Sequence, residues 1–235
     1  MKRTLTLFTA LSLLAGAASA QDTIIDTAVA KPAYAPVFGV SVGGGMTFAF
    51  TDVKESKSAP VFGAGIQYTP LPWLGINLDL QYGTLKAGDR SKAEVSNMEF
   101  KNNYFYGALT GRVYPLRLLP EPMAARYLGG LYAGVGLGFI SSKPEAFATT
   151  ANGAGLVTDA DGMQIVLPVE LGYNLPLAHL DKSQAAYSKS LLSLNIGYRH
   201  NFAFSDKLDG YTPTWPSNKN KDAFSTIFVA LVYNF

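Results

Sequence analysis

From residue 37 to the C-terminus, apolar and polar positions alternate with the period of a β-strand rather than a helix. Eight such stretches, at 37–51, 59–69, 73–86, 99–114, 129–142, 162–174, 188–205 and 222–235, predict strands. The third sets Leu74, Ile76, Leu78, Leu80 and Tyr82 against Gly75, Asn77, Asp79, Gln81 and Gly83. The sixth sets Ile165, Leu167, Val169, Leu171 and Tyr173 against Gln164, Val166, Pro168, Glu170 and Gly172. The last runs Ser225, Ile227, Val229, Leu231, Tyr233, Phe235 on one face and Thr226, Phe228, Ala230, Val232, Asn234 on the other. A terminal aromatic, with a Tyr two positions before it and aliphatics before that, fits a lipid-facing strand that ends in an interfacial girdle.

Periodicity alone does not say which face is inside. Each stretch has at least the ~9–11 residues that a tilted membrane strand needs. The aliphatic faces end in Tyr or Phe, and the opposite faces are polar or small. An even number of strands closes a sheet without an edge, as hydrocarbon requires, because no water is there to satisfy open backbone groups. The predicted fold is therefore all-β: an eight-stranded antiparallel up-and-down transmembrane β-barrel over 37–235, with aliphatic faces outward. The soluble alternative, a secreted sandwich or lipocalin-like barrel, would turn those faces inward.

The N-terminus fits export. Met1-Lys2-Arg3 precedes an uncharged, mostly apolar run from Leu5 to Gly16 and the small-residue site Ala18-Ser19-Ala20. Residues 1–20 read as a cleaved signal peptide and 21–36 as a periplasmic lead-in, with the outer membrane of a Gram-negative-type bacterium as destination. Charge then changes meaning. The chain has 19 basic and 17 acidic residues, and Lys2 and Arg3 leave with the signal, so the mature balance is 17 − 17 = 0. Nothing in that balance points to nucleic acid. The absence of Cys excludes disulfides and thiolate metal or redox sites.

Connection lengths sort the two ends. With both termini periplasmic, the inner connections are Pro70-Leu71-Pro72, a Pro-rich segment at 115–128 with room for a short helix, and 175–187. The outer ones include the polar loops at 89–98, 143–161 and 206–221. Longer outer loops are expected of outer-membrane barrels, but two of the inner connections are long as well.

Four charges fall on inward faces of separate strands: Asp79, Arg112, Glu170 and Arg199. In a narrow lumen they must pair or carry a large desolvation cost. Strand adjacency predicts Asp79 with Arg112 and Glu170 with Arg199. Such a network fills and rigidifies the interior, since eight strands leave room for little besides side chains. The sharper alternative is a gate in a narrow pore for small solutes.

An enzymatic alternative, modification of lipid A, needs a nucleophile, a His base and an orienting acid at the rim. His200, Ser225, Asp206 and Asp209 are the candidates. His200 continues the outward face of Tyr198 and Phe202, which reads as a girdle residue, and His179 falls in an inner turn without a partner. No catalysis is expected. The glycines of Gly43-Gly44-Gly45 and 134–138 lie within strands with no helix following, so they are not a nucleotide loop. Asp159-Ala160-Asp161-Gly162 has only two carboxylates of a calcium-loop pattern. No cofactor or metal is implied. Trp215, Tyr211 and Lys219 are outer-loop residues placed to meet lipopolysaccharide, another cell or a partner barrel.

The signal peptide, the alternating strands, the closing strand Phe224–Phe235, the preceding loop 205–211 and the strands that carry the inward charges together resemble the small outer-membrane barrel family of the OmpA transmembrane-domain type. The larger members carry a peptidoglycan-binding domain as well, and none is expected here. The resemblance implies insertion through the barrel assembly machinery, with Tyr233 and Phe235 as the insertion signal. It implies residence among bilayer lipid and lipopolysaccharide. The expected role is structural, or as a subunit of an envelope complex with a periplasmic or outer-membrane protein partner.

Overall fold

The computed structural model describes residues 35–51, 56–88, 97–118, 128–150, 153–156, 162–179, 190–205, 208 and 221–235. The expected signal peptide, nearly all of the lead-in, Asp159–Asp161, Asp206, Asp209 and the loop aromatics Tyr211 and Trp215 lie outside these residues, as does Lys219.

The strands are β1 (Val37–Phe50), β2 (Ser56–Lys57), β3 (Ala59–Leu71), β4 (Leu74–Gly88), β5 (Asn97–Val113), β6 (Leu131–Thr150), β7 (Gly153–Leu156), β8 (Gly162–His179), β9 (Ser190–Ala203) and β10 (Ala223–Asn234). Eight of them form a closed antiparallel ring, β1-β3-β4-β5-β6-β8-β9-β10 and back to β1. The closing seam pairs Gly39 with Asn234 through to Phe50 with Ala223. The other two are short: β2 pairs with β4, and β7 pairs with β6. No described helix is long and apolar enough to cross a membrane; this barrel crosses with strands.

Alternation decides what each face meets. Asn77, Asp79, Gln81, Arg112, Glu170 and Arg199 are buried within the ring. The residues between them face out, and Val42 (65%), Phe62 (67%) and Leu137 (63%) are among the many large apolar side chains left exposed. A soluble monomer does not expose so continuous an apolar surface. It is the band that a hydrocarbon layer covers.

Glycine lets the seam close. At Gly45 a Cβ would stand 1.9 Å from the Ile227 carbonyl oxygen, and at Gly43 2.2 Å from that of Val229. The glycine triplet is thus a close-approach device of the strand wall.

The eight expected strands all appear, and five run further than the pattern indicates, β3 and β4 by two residues each at their C-terminal ends. β6 continues past residue 142 to Thr150, through Pro144. Pro144 has Asn102 of β5 on one side, while β8 first pairs β6 at Ser142 and β7 first pairs it at Phe147. Among the described residues nothing pairs with that edge of β6 between Ser142 and Phe147, and a proline, with no N–H to give, is tolerated at such an edge. β5 starts at Asn97, following its partner upward. β8 runs past residue 174 with register shifts between Pro176 and His179. His179 is therefore not in a turn: it ends β8, opposite Ser190. The short helix for which 115–128 had room is a 3₁₀ turn at Pro115–Leu118. Arg117 ties this turn to its neighbours, donating to the Gly129 carbonyl (2.6 Å) and the Pro72 carbonyl (2.8 Å).

Candidate functional site

One cross-strand row builds the centre of the lumen. Arg112 on β5 is opposite Gly134 on β6, Gly134 is opposite Glu170 on β8, and Glu170 is opposite Arg199 on β9. Gly134 leaves the space between Arg112 and Glu170 open, and Arg112 Nε donates to Glu170 Oε2 at 2.8 Å. Arg199 Nε donates to Glu170 Oε1 at 2.7 Å, and its Nη2 lies 2.5 Å from the same oxygen. Asp79 closes the group from β4, with Oδ2 2.5 Å from Arg199 Nη2 and 3.7 Å from Arg112 Nη2. Asn77 donates to the same Asp79 oxygen at 2.7 Å.

The arrangement is one four-charge cluster rather than two separate pairs. The nearer partner of Asp79 is Arg199, not Arg112 of the adjacent strand. Register explains this: Asp79 is opposite Ala108, while Arg112 is opposite Gly75, four positions along β4. Aromatic faces complete the coordination. Arg112 lies 4.6 Å from the Tyr132 ring centroid, and Arg199 lies 5.4 and 5.5 Å from those of Tyr106 and Phe228. Arg199 and Glu170 are fully buried, so each charge is held by its partners and not by bulk water.

The outer part of the lumen is apolar. Leu85, Phe100, Ile140, Val166, Leu208 and Phe224 pack there with neighbouring alanines and tyrosines. Leu208 comes from the segment between β9 and β10 and is fully buried. Its N–H donates to Asp222 Oδ2, and its carbonyl accepts from Asn102 Nδ2, both at 2.7 Å. These bonds satisfy the backbone of a loop residue inserted into the barrel mouth.

Toward the inner end the lumen is polar. Tyr132 OH donates to Asn195 Oδ1 (3.1 Å), and Asn195 donates to Asn174 (3.3 Å). Between β1, β3 and β4 lies a cavity of about 30 Å³ lined by Ser41, Gly63, Gln67, Asp79 and Gln81 among others. That is room for a few waters.

The candidates for lipid chemistry meet in part. His200 Nδ1 lies 2.7 Å from Ser225 Oγ, and Tyr198 OH lies 2.7 Å from the same oxygen. His200 packs against Phe202 (4.5 Å between centroids) and Phe50 (5.8 Å). Ser225 is 1% exposed. The Ser225 hydroxyl thus has two polar partners and almost no open surface, set among the rings of an aromatic girdle. Among the described residues no group of His, Asp or Glu could hold a metal ion.

The insertion-signal candidates lie on the outward face. Tyr233 and Phe235 are 48% and 69% exposed, with ring centroids 6.4 Å apart. The Phe235 N–H donates to the Phe38 carbonyl at 2.8 Å, which extends the closing seam to the last residue.

Solved structures of similar form include outer-membrane proteins. Ail, the attachment invasion locus protein of Yersinia pestis, aligns at 12% identity over 86% of this chain and 100% of its own, with a TM-score of 0.43. The chain resembles the small eight-stranded outer-membrane barrels. Acinetobacter baumannii CarO2 aligns at 11% identity over 84% and 99% of the two chains, with a TM-score of 0.45. Neisserial surface protein A aligns at 11% over 84% and 97%, with a TM-score of 0.41. No family model matches the chain, and no curated protein does.

Sequence reasoning missed Leu208, Asn102 and Asp222. Leu208 had a signal: it is the one aliphatic residue in the polar run Ser205-Asp206-Lys207-Leu208-Asp209-Gly210. Asn102 and Asp222 had none, because their partner is a backbone that only the folded loop brings near.

Proposed function

We propose that this protein is a closed, non-catalytic barrel of the outer membrane of a Gram-negative-type bacterium, serving envelope structure directly or as a subunit of an envelope complex. The filled lumen carries this reading. A four-charge cluster bridges the walls, and above it the apolar cluster around Leu208 occupies the outer mouth. A solute crossing such a barrel would have to part buried ion pairs and then displace a packed apolar layer. Both steps are costly in a low-dielectric interior.

The exposed pair Tyr233 and Phe235 suits recognition by the assembly machinery, and the apolar band suits outer-membrane lipid. The inner surface around Arg117 is braced against two turns, which favours a fixed platform for a periplasmic partner. Planar-bilayer conductance tests the closed reading, and crosslinking recovery from native membranes tests the complex. Recovery of the barrel alone would remove the subunit role.

A further inference from the structure

Asp79 has a carboxylate oxygen that the charge cluster does not use. Its contacts with Arg199, Arg112 and Asn77 all fall on Oδ2. Oδ1 turns toward the neighbouring strands. Asp79 is opposite Gly65 on β3, and Gly65 is opposite Ser41 on β1. A Cβ at Gly65 would lie 2.8 Å from Asp79 Oδ1 and 2.9 Å from Ser41 Oγ, so the two oxygens flank one spot that no side chain fills. The next row outward repeats the plan, with Gly43 opposite Gly63 and Gly63 opposite Gln81. Gln81 Oε1 is buried and has no hydrogen-bond partner among the described residues. Ser41, Asp79 and Gln81 all line the cavity of about 30 Å³.

The occupant must donate hydrogen bonds, because Asp79 Oδ1 and Gln81 Oε1 are acceptors only. It must also be neutral. Two acids and two bases already balance in the cluster, and a cation would add charge beside two guanidiniums. Water meets both conditions. One molecule donates twice and accepts from the Ser41 hydroxyl, and a cavity of this size holds a few.

The two ends of the lumen differ in how they admit water. On β1 and β3 the inward residues Ser41, Gly43, Gly63, Gly65 and Gln67 keep accessible surface. Thr47, Ala49, Ala59 and Val61, farther out on the same strands, keep 3% or less. Ala49 and Val61 belong to the apolar layer that holds Leu208. Below the cavity the barrier is polar: Tyr132, Asn195 and Asn174 form one chain of hydrogen bonds, and Gln67 donates to Asn234 at 2.5 Å. Water crosses a polar layer by exchanging hydrogen bonds, and an apolar layer offers it none.

We infer that Ser41, Asp79 and Gln81 form a water-binding site that is replenished from the inner, periplasmic end of the lumen and sealed from the outer end by the apolar layer around Leu208. The inference rests on the closed barrel proposed above and gives its two ends different permeability to water.

The chain has no cysteine, so a single introduced thiol reports the depth that water reaches. Ser41→Cys places it in the pocket, and Ala49→Cys places it on the same strand in the apolar layer, nearer the outer mouth. Both are folded into vesicles and treated with silver ion, which displaces the thiol proton and so leaves the local charge unchanged. Ser41→Cys should react roughly tenfold faster or more, because a thiol in the packed layer must wait for a local opening. Adding Leu208→Gly should speed the reaction of Ala49→Cys and leave that of Ser41→Cys unchanged. A crystal structure of the mature barrel should show ordered water within hydrogen-bond distance of Asp79 Oδ1 and Gln81 Oε1. Equal or faster reaction of Ala49→Cys, no reaction of Ser41→Cys, or a cavity that is dry or holds a metal ion overturns the inference. Heat-modifiable mobility on gels verifies that each variant folds, and bilayer conductance reports closure separately, so failure of the closed-barrel reading shows as a steady current whatever the thiols do.

Discussion

Asp79 and Arg199 stand on opposite walls of the barrel, four strands apart in either direction around the ring, and their side chains meet at 2.5 Å. The contact spans the lumen, so the two halves of the wall are tied through the interior as well as through the sheet. Removing one member of a buried cluster leaves its partners charged and unpaired, at a cost of about 3–5 kcal/mol. Glu170→Gln should therefore lower the urea midpoint of the folded barrel in vesicles sharply, since both arginines donate to it. Asp79→Asn should cost less, because 12% of the Asp79 side chain is exposed, against none for Glu170. Equal midpoints for Glu170→Gln and wild type would remove the cluster as a stabilising element.

The seam between β1 and β10 predicts a steric defect. A side chain at Gly45 meets the Ile227 backbone within 1.9 Å, and a backbone oxygen has no rotamer by which to yield. Gly45→Val should abolish the heat-modifiable folded form. At Gly111 the nearest atom to an added Cβ is 3.9 Å away, so Gly111→Ala should fold at wild-type yield. Efficient folding of Gly45→Val would show that the seam does not close as described.

Deletion of Phe235 should impair membrane insertion in cells. It removes an exposed aromatic and the hydrogen bond from its N–H to Phe38. Purified protein refolded into vesicles should tolerate the deletion far better, because one exposed hydrogen bond is worth about 1 kcal/mol. An equal defect in both settings would assign Phe235 to stability rather than to recognition.

Ser225→Ala and His200→Ala separate girdle from catalysis. Lipid A isolated from cells with or without the protein should have the same mass spectrum, and neither variant should change it. The Ser225 change should instead cost about 1 kcal/mol of stability through the lost bonds to His200 and Tyr198. A lipid A species that depends on Ser225 would establish an enzyme.

Much of this was legible in the residues. Alternation in β4, with Leu78 and Leu80 flanking Asp79, put the acid on the polar face, which a membrane barrel turns inward. The same reasoning placed Arg112, Glu170 and Arg199. What alternation does not carry is register. Asp79 and Arg112 sit on neighbouring strands yet are offset by four positions, and the partner with the right height is across the barrel. The continuation of β6 past residue 142 through Pro144 was not legible either, because only the pairings show that among the described residues nothing pairs with one edge of β6 there. Leu208 was hidden by its loop, since the strand periodicity that marks buried positions does not extend there.

The closed lumen is the central claim, and single-channel recording in planar bilayers tests it most directly. The wild-type barrel should show negligible steady current. So should Arg112→Ala, because Arg199 still bridges Asp79 and Glu170 and the cluster around Leu208 still fills the mouth. A stable wild-type conductance that changes with Arg112→Ala would contradict the account and make the charge cluster the gate of a pore.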